Sequence, residues 1–397
     1  MKFGLLKMAL ILGLLSCVGP IAIDMYLPAL PDIAEGFGAP IEAVQYTLMS
    51  YFIAFGVCQL FYGPASDMFG RKPPLYFGLI LFTFASIGCS LAPTIESLIA
   101  LRFLQGVGAA AVISIPRAVI RDHYTGASAT RLMTTVMLVI SISPMLAPLI
   151  GSALIVPFGW RSVFVLTALL TLASLFLAVF SLPETLERKD RVPFRFSAML
   201  EAFYRLLRDP VYVGLICVGG LGIASFFSFL ATASFLYTGF YGLTPTEFSL
   251  AFALNALGFF ASSQFAANLG LRFGSVAVVK WATVGFAVSS LVMCAVFFAG
   301  FELFILLVCM LFTTNVFLGL VIPTSMVLSL EEHGSIAGTA AALGGALQML
   351  LGALAIVLTS LVFDGTPQPL TAAIAICGVS AFLISRLTLR GLTHLAV

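Results

Sequence analysis

The chain has 397 residues, of which 61% are hydrophobic and only 9% are charged. Soluble domains carry about 25% charged residues, so this composition excludes a water-soluble protein and places most of the surface in lipid. The net charge is +2, from 19 Lys and Arg against 17 Asp and Glu. This near balance excludes a nucleic-acid-binding protein, which needs a strongly basic surface.

Twelve apolar stretches have the length of membrane-spanning helices. Such a helix needs about 20 apolar residues, and the first stretch covers about residues 5–30. The fourth lies at 97–119, and the other ten fall within runs that contain no charged residue: 43–66, 73–95, 132–160, 162–183, 210–246, 248–271, 281–301, 303–330, 333–363 and 365–385. A β-barrel is excluded, because its strands would show about ten residues of alternating polarity. The predicted fold is an all-α membrane protein with twelve transmembrane helices.

Basic residues lie in alternate connections between the spans. Lys and Arg collect in cytoplasmic loops of membrane proteins. One set of connections carries Lys2, Lys7, Arg71, Lys72, Arg121, Arg131, six basic residues between 183 and 209, Arg272, Lys280, Arg386 and Arg390. The other set carries only Arg161. This pattern predicts that both termini lie in the cytoplasm.

The longest polar stretch, 183–209, divides the chain into an N-terminal half of six spans (1–182) and a C-terminal half of six spans (210–397). Two repeated halves are typical of secondary transporters. A weak repeat supports this division, because Phe69-Gly70 after span 2 recurs 204 residues later as Phe273-Gly274 after span 8. No GxxxxGK[ST] phosphate-binding loop occurs, so we expect an ion gradient, and no cofactor, to drive transport.

Asp24 and Arg102 are charged residues that lie well inside predicted spans of the N-terminal half. Asp24 lies eight residues from Asp32, about 12 Å deep, and Arg102 lies six residues from Glu96, about 9 Å deep. Ionisable residues within a span are energetically expensive and usually functional. If the helices touch, Arg102 stabilises ionised Asp24 while desolvation favours its protonated form. The alternative is a static ion pair that joins spans 1 and 4.

Three motifs resemble those of the major facilitator superfamily: residues 63–73 (GPASDMFGRKP), 102–108 (RFLQGVG) and 144–151 (PMLAPLIG). Three further segments, 24–31 (DMYLPALP), 117–122 (RAVIRD) and 338–344 (GTAAALG), are similar to the Bcr/CflA branch of twelve-span drug:proton antiporters. Members of this branch export bicyclomycin, chloramphenicol or florfenicol. The chain departs from the pattern at Leu271, where the second copy of the first motif would carry an acid, and at Ser143, where antiporters often carry Gly.

The resemblance implies roles for the motif residues. Asp24 and Arg102 would couple protons, with Gln105 beside them. Asp67 and Arg71 would hold the two halves together in the outward-facing state. The predicted cytoplasmic gate consists of Gly63, Asp67, Gly70, Arg71, Arg117 and Asp122; for Arg117 we expect either snorkelling to lipid headgroups or bracing of Asp122. Pro144, Pro148 and Gly151 would allow span 5 to bend or to pack closely.

The predicted substrate cavity is apolar with a few polar groups. Its candidate residues are Asp24, Tyr26, Gln45, Tyr51, Arg102, Gln105, Phe229, Asn255 and Gln348. A metal site or a His proton relay is not expected, because His123, His333 and His394 fall in loops or the tail. The expected partners are an amphiphilic small-molecule drug, protons and membrane lipid, and we expect a monomer.

The sequence therefore predicts a proton-coupled drug exporter of the bacterial inner membrane, and not an enzyme. A proton-coupled nutrient or metabolite symporter of the same fold remains the main alternative, although its spans should carry more polar residues. An intramembrane enzyme would need a buried His, a second buried acid or a nucleophile with its base. A channel is disfavoured, because no ring of charges or carbonyl filter is evident.

Overall fold

In the computed structural model the chain is almost entirely helical. The structure describes residues 3–123, 126–193 and 196–390. Of the residues considered above, Lys2 and His394 lie outside the described residues, and the side chains of Lys7, His123 and Arg131 are not described either.

Within the described residues, twelve segments are long and apolar enough to cross a membrane, which confirms the predicted twelve spans. The helices are α1 (Phe3–Asp24), α2 (Leu30–Phe37), α3 (Ile41–Phe69), α4 (Lys72–Leu91), α5 (Ile95–His123), α6 (Gly126–Phe158), α7 (Arg161–Ser181), α8 (Phe196–Arg208), α9 (Pro210–Phe235), α10 (Pro245–Phe273), α11 (Ser275–Phe298), α12 (Phe304–Leu330), α13 (Ala337–Val362) and α14 (Pro367–Thr388). Helices α1 and α2 together form the first span, and α8 is the one long helix that is not a span.

The first span is broken near its middle, which the composition of the stretch did not predict. Helix α1 ends at Asp24, a single 3₁₀ turn follows at Leu27–Ala29, and α2 begins at Leu30. Pro28 has no N–H to donate to the carbonyl of Asp24, and Pro31 has none for Leu27. The proline pair therefore ends α1 at Asp24 and places this carboxylate at a helix terminus inside the membrane.

The chain forms two compact units, Met1–Arg195 and Phe196–Val397. In the first unit α3 packs on α5, α4 on α5 and α7, and α1 on α6. The same pairings recur at matching positions of the second unit, where α10 packs on α12, α11 on α12 and α14, and α9 on α13. The boundary between the units falls inside the predicted linker, so residues 183–193 belong to the first unit and α8 belongs to the second.

Glycines let the helices of the first unit approach closely. A Cβ at Gly106 would overlap the backbone carbonyl of Tyr51, which brings α5 directly against α3. A Cβ at Gly151 would overlap the carbonyl of Met25, so α6 packs against the break in the first span. Gly106 lies about one helical turn after Arg102, and Met25 directly follows Asp24, so these two contacts help to position both charged residues.

Candidate functional site

Arg102 is completely buried in the first unit and lies between two aromatic rings. Its guanidinium carbon is 4.6 Å from the centre of the Tyr26 ring and 4.5 Å from that of Tyr51. Its Nη1 donates a 2.7 Å hydrogen bond to Gln105 Oε1, and Gln105 Nε2 donates to Ser86 Oγ at 2.7 Å. Helices α3, α4 and α5 and the break in span 1 thus all contribute to one site around this charge.

Two donor atoms of Arg102, Nε and Nη2, have no hydrogen-bond partner in the described part of the chain. Buried polar atoms nearly always have partners, so such exceptions call for an explanation. The two ring faces attract the cation by about 2 kcal/mol when it is desolvated, but they accept no N–H bond of the kind a carboxylate or carbonyl accepts. The site therefore lacks an acceptor that these donors could bind.

Asp24 is also buried, with 5% of its surface exposed. No Lys, Arg or His of the described residues lies within 4.0 Å of its carboxylate. The static ion pair with Arg102, which the sequence left open, is therefore not what the structure contains. At the C-terminus of α1 the carboxylate also meets the negative end of the helix dipole, so protonation would remove an uncompensated charge.

The two tyrosines that enclose Arg102 are themselves held in place. The hydroxyls of Tyr26 and Thr47 are hydrogen-bonded at 2.8 Å, and the Tyr51 hydroxyl donates to the carbonyl of Gly19 at 3.3 Å. The sequence-predicted Gln45 is completely buried on the same helix as Tyr51, but it is not among the contacts of Arg102 described above.

The remaining cavity candidates belong to the second unit and are buried among uncharged groups. Phe229 stacks on Phe252 with ring centres 5.6 Å apart. Asn255 donates to the carbonyl of Ala251 at 3.0 Å. Gln348 lies against Gly219, and its Nε2 has no hydrogen-bond partner in the described residues. Their predicted role in binding a substrate stays a prediction.

The α3–α4 turn carries a dense charge network centred on Arg71, which is 2% exposed. Its Nη1 contacts Asp67 at 2.5 Å, and its Nε and Nη2 bind the two oxygens of Asp122 at 2.7 and 3.0 Å. Nη1 also donates to Ser66 Oγ at 2.7 Å. Three of the predicted gate residues, Asp67, Arg71 and Asp122, therefore meet, and all of them belong to the first unit.

Two further residues of this network, Glu184 and Thr185, were not predicted from the sequence. Glu184 accepts the backbone N–H groups of Arg71 at 2.8 Å and Lys72 at 3.1 Å, so it caps the start of α4. Thr185 donates to Asp122 Oδ2 at 2.8 Å. Glu184 lies more than 100 residues from Arg71 and Lys72, and Thr185 lies 63 residues from Asp122, so neither contact could be read from local sequence. An acid in a linker rich in charges gave no distinguishing signal.

Burial acts to raise the pKa of Glu184, but the backbone N–H groups of Arg71, Lys72, Leu186 and Thr185 lower it further than burial raises it. The net pKa is below the ordinary value of 4.5. The carboxylate form of Glu184 is therefore the form that the α3–α4 turn stabilises.

The remaining predicted gate residues, Gly70, Gly63 and Arg117, lie in different surroundings. Gly70 has φ +95°, and a Cβ there would lie 2.6 Å from Arg191 Nη2 and 2.8 Å from Glu184 Oε2. A Cβ at Gly63 would meet no atom within 4 Å. The predicted bracing of Asp122 by Arg117 is not what the structure contains, because no ion pair joins them in the described residues and Asp122 pairs with Arg71 instead. Five residues of helix turn the two side chains about 140° apart.

Helix α6 contains Pro144, Pro148 and Gly151 and runs as one helix from Gly126 to Phe158. Gly151 is the member of this set with a clear structural reason, its close contact with Met25. The proposed bending role of the two prolines stays a prediction.

The second unit contains a His–Asp contact that was not predicted from the sequence. His333 Nε2 lies 2.9 Å from Asp209 Oδ2, while Asp209 Oδ1 accepts the N–H of Val211 at 2.8 Å and so caps α9. The Tyr212 ring packs edge-on against His333, with ring centres 5.5 Å apart. This contact ties the start of α9 to the segment between α12 and α13.

Twelve apolar spans in two repeated units, with buried charges in the first, define a multi-pass membrane protein of the transporter class. The sequence profile of the Major Facilitator Superfamily matches residues 12–356. The chain belongs to this superfamily.

Bacterial relatives extend over most of the chain. An uncharacterized MFS-type transporter YdgK of Bacillus subtilis is 31% identical and covers 88% of this chain and 87% of its own. A bicyclomycin resistance protein homolog of Haemophilus influenzae is 28% identical over 94% of both chains. A chloramphenicol resistance protein of Pseudomonas aeruginosa is 29% identical over 96% of this chain and 91% of its own. These names are consistent with the Bcr/CflA drug-efflux branch.

Solved transporter structures share the fold. The nucleoside transporter NupG superposes with a TM-score of 0.75 over 96% of this chain and 99% of its own, at 13% identity. This likeness supports the all-helical transporter fold.

Proposed function

We propose that the protein is a proton-coupled antiporter that exports amphiphilic drugs, of the phenicol or bicyclomycin kind, across the bacterial inner membrane by alternating access. The observation that carries the proposal is the buried Arg102, whose Nε and Nη2 have no acceptor among the described residues although two tyrosine rings enclose it. The resistance relatives support export of small molecules. The distribution of Lys and Arg supports an orientation with both termini in the cytoplasm.

The mechanism rests on mutually unfavourable binding of a proton at Asp24 and of the drug in the cavity beside Arg102. In the inward-facing state, deprotonated Asp24 permits an uncharged drug to bind in the cavity. After the halves rock, a proton from outside neutralises Asp24 and the drug leaves. When the protein faces inward again, Asp24 releases the proton. Proton and drug must each weaken the binding of the other, because only a difference in affinity between states can move such an equilibrium.

The test is drug-dependent proton movement in everted membrane vesicles. In energised wild-type vesicles that contain a pH-sensitive dye, added chloramphenicol should release protons from the lumen. Asp24→Asn should abolish this release, since an amide carries no proton at neutral pH. Asp32→Asn is the matched control: it removes an acid from the same span, but its side chain is exposed, and release should persist.

Full drug-dependent release in the Asp24→Asn variant would contradict the proposal. Protonophore-sensitive accumulation of the compound inside intact cells, instead of its exclusion, would favour the symporter alternative.

A further inference from the structure

Helix α8 has three faces, of which only two are explained by the protein itself. Leu206 is fully buried and Ala202 and Phe203 are half-buried, where α8 packs on α9 and α13. A polar face carries Glu201, Arg205 and Arg208 and is exposed. The third face is apolar and also exposed.

This third face, the α8 stripe, consists of Leu200, Tyr204 and Leu207. The three residues expose 48%, 57% and 50% of their surface. At about 100° per residue their side chains fall within about 60° of one another, between the packed face and the polar face. Apolar surface left in water forgoes about 25 cal/mol per Å², so a continuous stripe of large apolar side chains indicates a contact with something other than water.

The position of α8 along the chain limits what that contact can be. Helix α8 ends at Arg208, and the membrane-spanning α9 begins at Pro210. Leu200 is ten residues before Pro210, so the stripe begins within about 15 Å of the first residue of a membrane-crossing helix. Such proximity keeps the stripe within reach of the lipid headgroups.

The side chains at the edge of the stripe have the chemistry of a membrane interface. The guanidinium of Arg208 lies over the Tyr204 ring at 4.2 Å, and in the described residues Arg208 forms no ion pair. Arg205 lies 3.8 Å from Glu201 in a solvent-exposed pair. So wide a pair neutralises little of the positive charge of Arg205. Tyr and Arg are favoured where an apolar body enters lipid and a polar tip reaches headgroups.

We propose that α8 is an interfacial anchor whose stripe inserts between the acyl chains and headgroups of the same membrane that α9 crosses. The partner is the phospholipid surface, with lipid phosphates near Arg208. A helix with one polar and one apolar face, and aromatic and Arg residues at their border, binds membranes in this orientation. The anchor would hold the start of the second unit at the membrane surface, independently of which substrate is transported.

Tryptophan fluorescence in lipid vesicles tests the proposal. The chain has two Trp, Trp160 and Trp281, and replacing both with Phe leaves a background for a single reporter. In the full-length protein reconstituted into phosphatidylcholine vesicles, the Tyr204→Trp variant should lose most of its emission when the acyl chains are brominated near the headgroup. Aqueous iodide should quench it little.

The matched control is Ala198→Trp, which lies about 160° from Leu200 around the helix and is exposed. Its emission should respond in the opposite way, to iodide and not to brominated lipid. Leu200→Trp provides a second reporter in the stripe should the variant at position 204 fail to fold. Equal quenching of both positions by iodide would overturn the proposal. Quenching of the stripe by neither agent would also overturn it, because it would show that protein covers the stripe.

Discussion

Two turns at matching positions of the repeat have the same backbone but opposite chemistry. Gly70 and Gly274 both have positive φ, +95° and +83°. Around the first, Arg71 binds Asp67 and Asp122, and Glu184 caps the following helix. Around the second, Leu271 and Ser275 stand 204 residues after Asp67 and Arg71, and Leu271 is 89% exposed. Glycine therefore suffices for the turn, and the charges must serve another purpose.

The charges of the first turn connect elements that the turn alone would leave separate. Asp122 belongs to α5, and Glu184 and Thr185 belong to the segment after α7. At the second turn, Arg272 contacts only the ring of the adjacent Phe273, at 5.2 Å, among the described charge and ring contacts. The first turn is therefore a junction of three segments, whereas the second is a simple connection between two helices.

The same asymmetry holds inside the membrane. The buried charges Asp24 and Arg102 lie in the first unit, while the buried polar candidates of the second unit, Asn255 and Gln348, are uncharged. If transport depends on the unpartnered charge and not on buried polarity in general, matched substitutions in the two units should differ.

Arg102→Met should have the largest functional effect. We expect drug-dependent proton release to be lost, because Met has no N–H donors to replace Nε and Nη2 of Arg102. We also expect thermal stability to be maintained or raised, since replacing a buried, unneutralised charge with an apolar side chain removes a desolvation penalty.

Gln348→Met, the matched variant in the second unit, should alter the apparent affinity for drug but leave proton coupling intact. Vesicle proton release and thermal unfolding in detergent measure the two effects, and similar losses of coupling in both variants would refute the asymmetry.

Arg71→Ala and Arg272→Ala test whether the two turns differ in energy. Removing Arg71 leaves Asp122 without its main partner in a largely buried site, and we expect a loss of about 2–4 kcal/mol in the free energy of unfolding. Arg272→Ala removes an exposed side chain and should change this free energy by less than about 0.5 kcal/mol. Denaturant unfolding of both variants in the same detergent provides the comparison. Equal losses would mean that the network around Arg71 adds nothing to the glycine turn.

The sequence predicted the membrane spans well because hydropathy and charge placement are local properties of the chain. It also identified Asp24 and Arg102 as charged residues within spans, and both are buried in the structure. It could not show that Arg102 lies between Tyr26 and Tyr51, since these rings come from separate helices and their approach depends on packing at Gly106.

Other features differ in how far they could have been foreseen. The break at Asp24 could have been predicted, because Pro28 and Pro31 remove two helical hydrogen bonds within one turn. The role of Glu184 could not, because its partners Arg71 and Lys72 lie more than 100 residues away and are contacted through backbone atoms. Backbone N–H groups carry no sequence signal.

Substitution of the glycines sharpens the comparison of the turns. Gly274→Ala should destabilise the protein by about 1 kcal/mol, because its φ is unfavourable for Ala although a Cβ would meet no atom within 4 Å. Gly70→Ala should lose about 2 kcal/mol, since it combines backbone strain with displacement of Arg191 and Glu184. Gly63→Ala should be neutral or stabilising by up to about 1 kcal/mol, because Gly63 is helical and unobstructed. Thermal unfolding ranks the three, and a Gly274→Ala loss as large as that of Gly70→Ala would show that backbone strain alone determines both.

Glu184→Gln should have a small effect with a distinct pH dependence. At neutral pH we expect a loss of about 1 kcal/mol, typical of a lost helix cap, whereas Glu187→Gln, in the exposed pair with Lys189, should change stability by less than about 0.5 kcal/mol. Because the folded-state pKa of Glu184 is below its ordinary value of 4.5, its contribution is fully present above that value. The contribution is lost as pH falls through the lower folded-state pKa. Unfolding midpoints of wild type and Glu184→Gln, measured from neutral to acidic pH, should therefore begin to converge as the pH falls below 4.5. A difference that stays constant over this range would show that the carboxylate charge of Glu184 does not stabilise the α3–α4 turn.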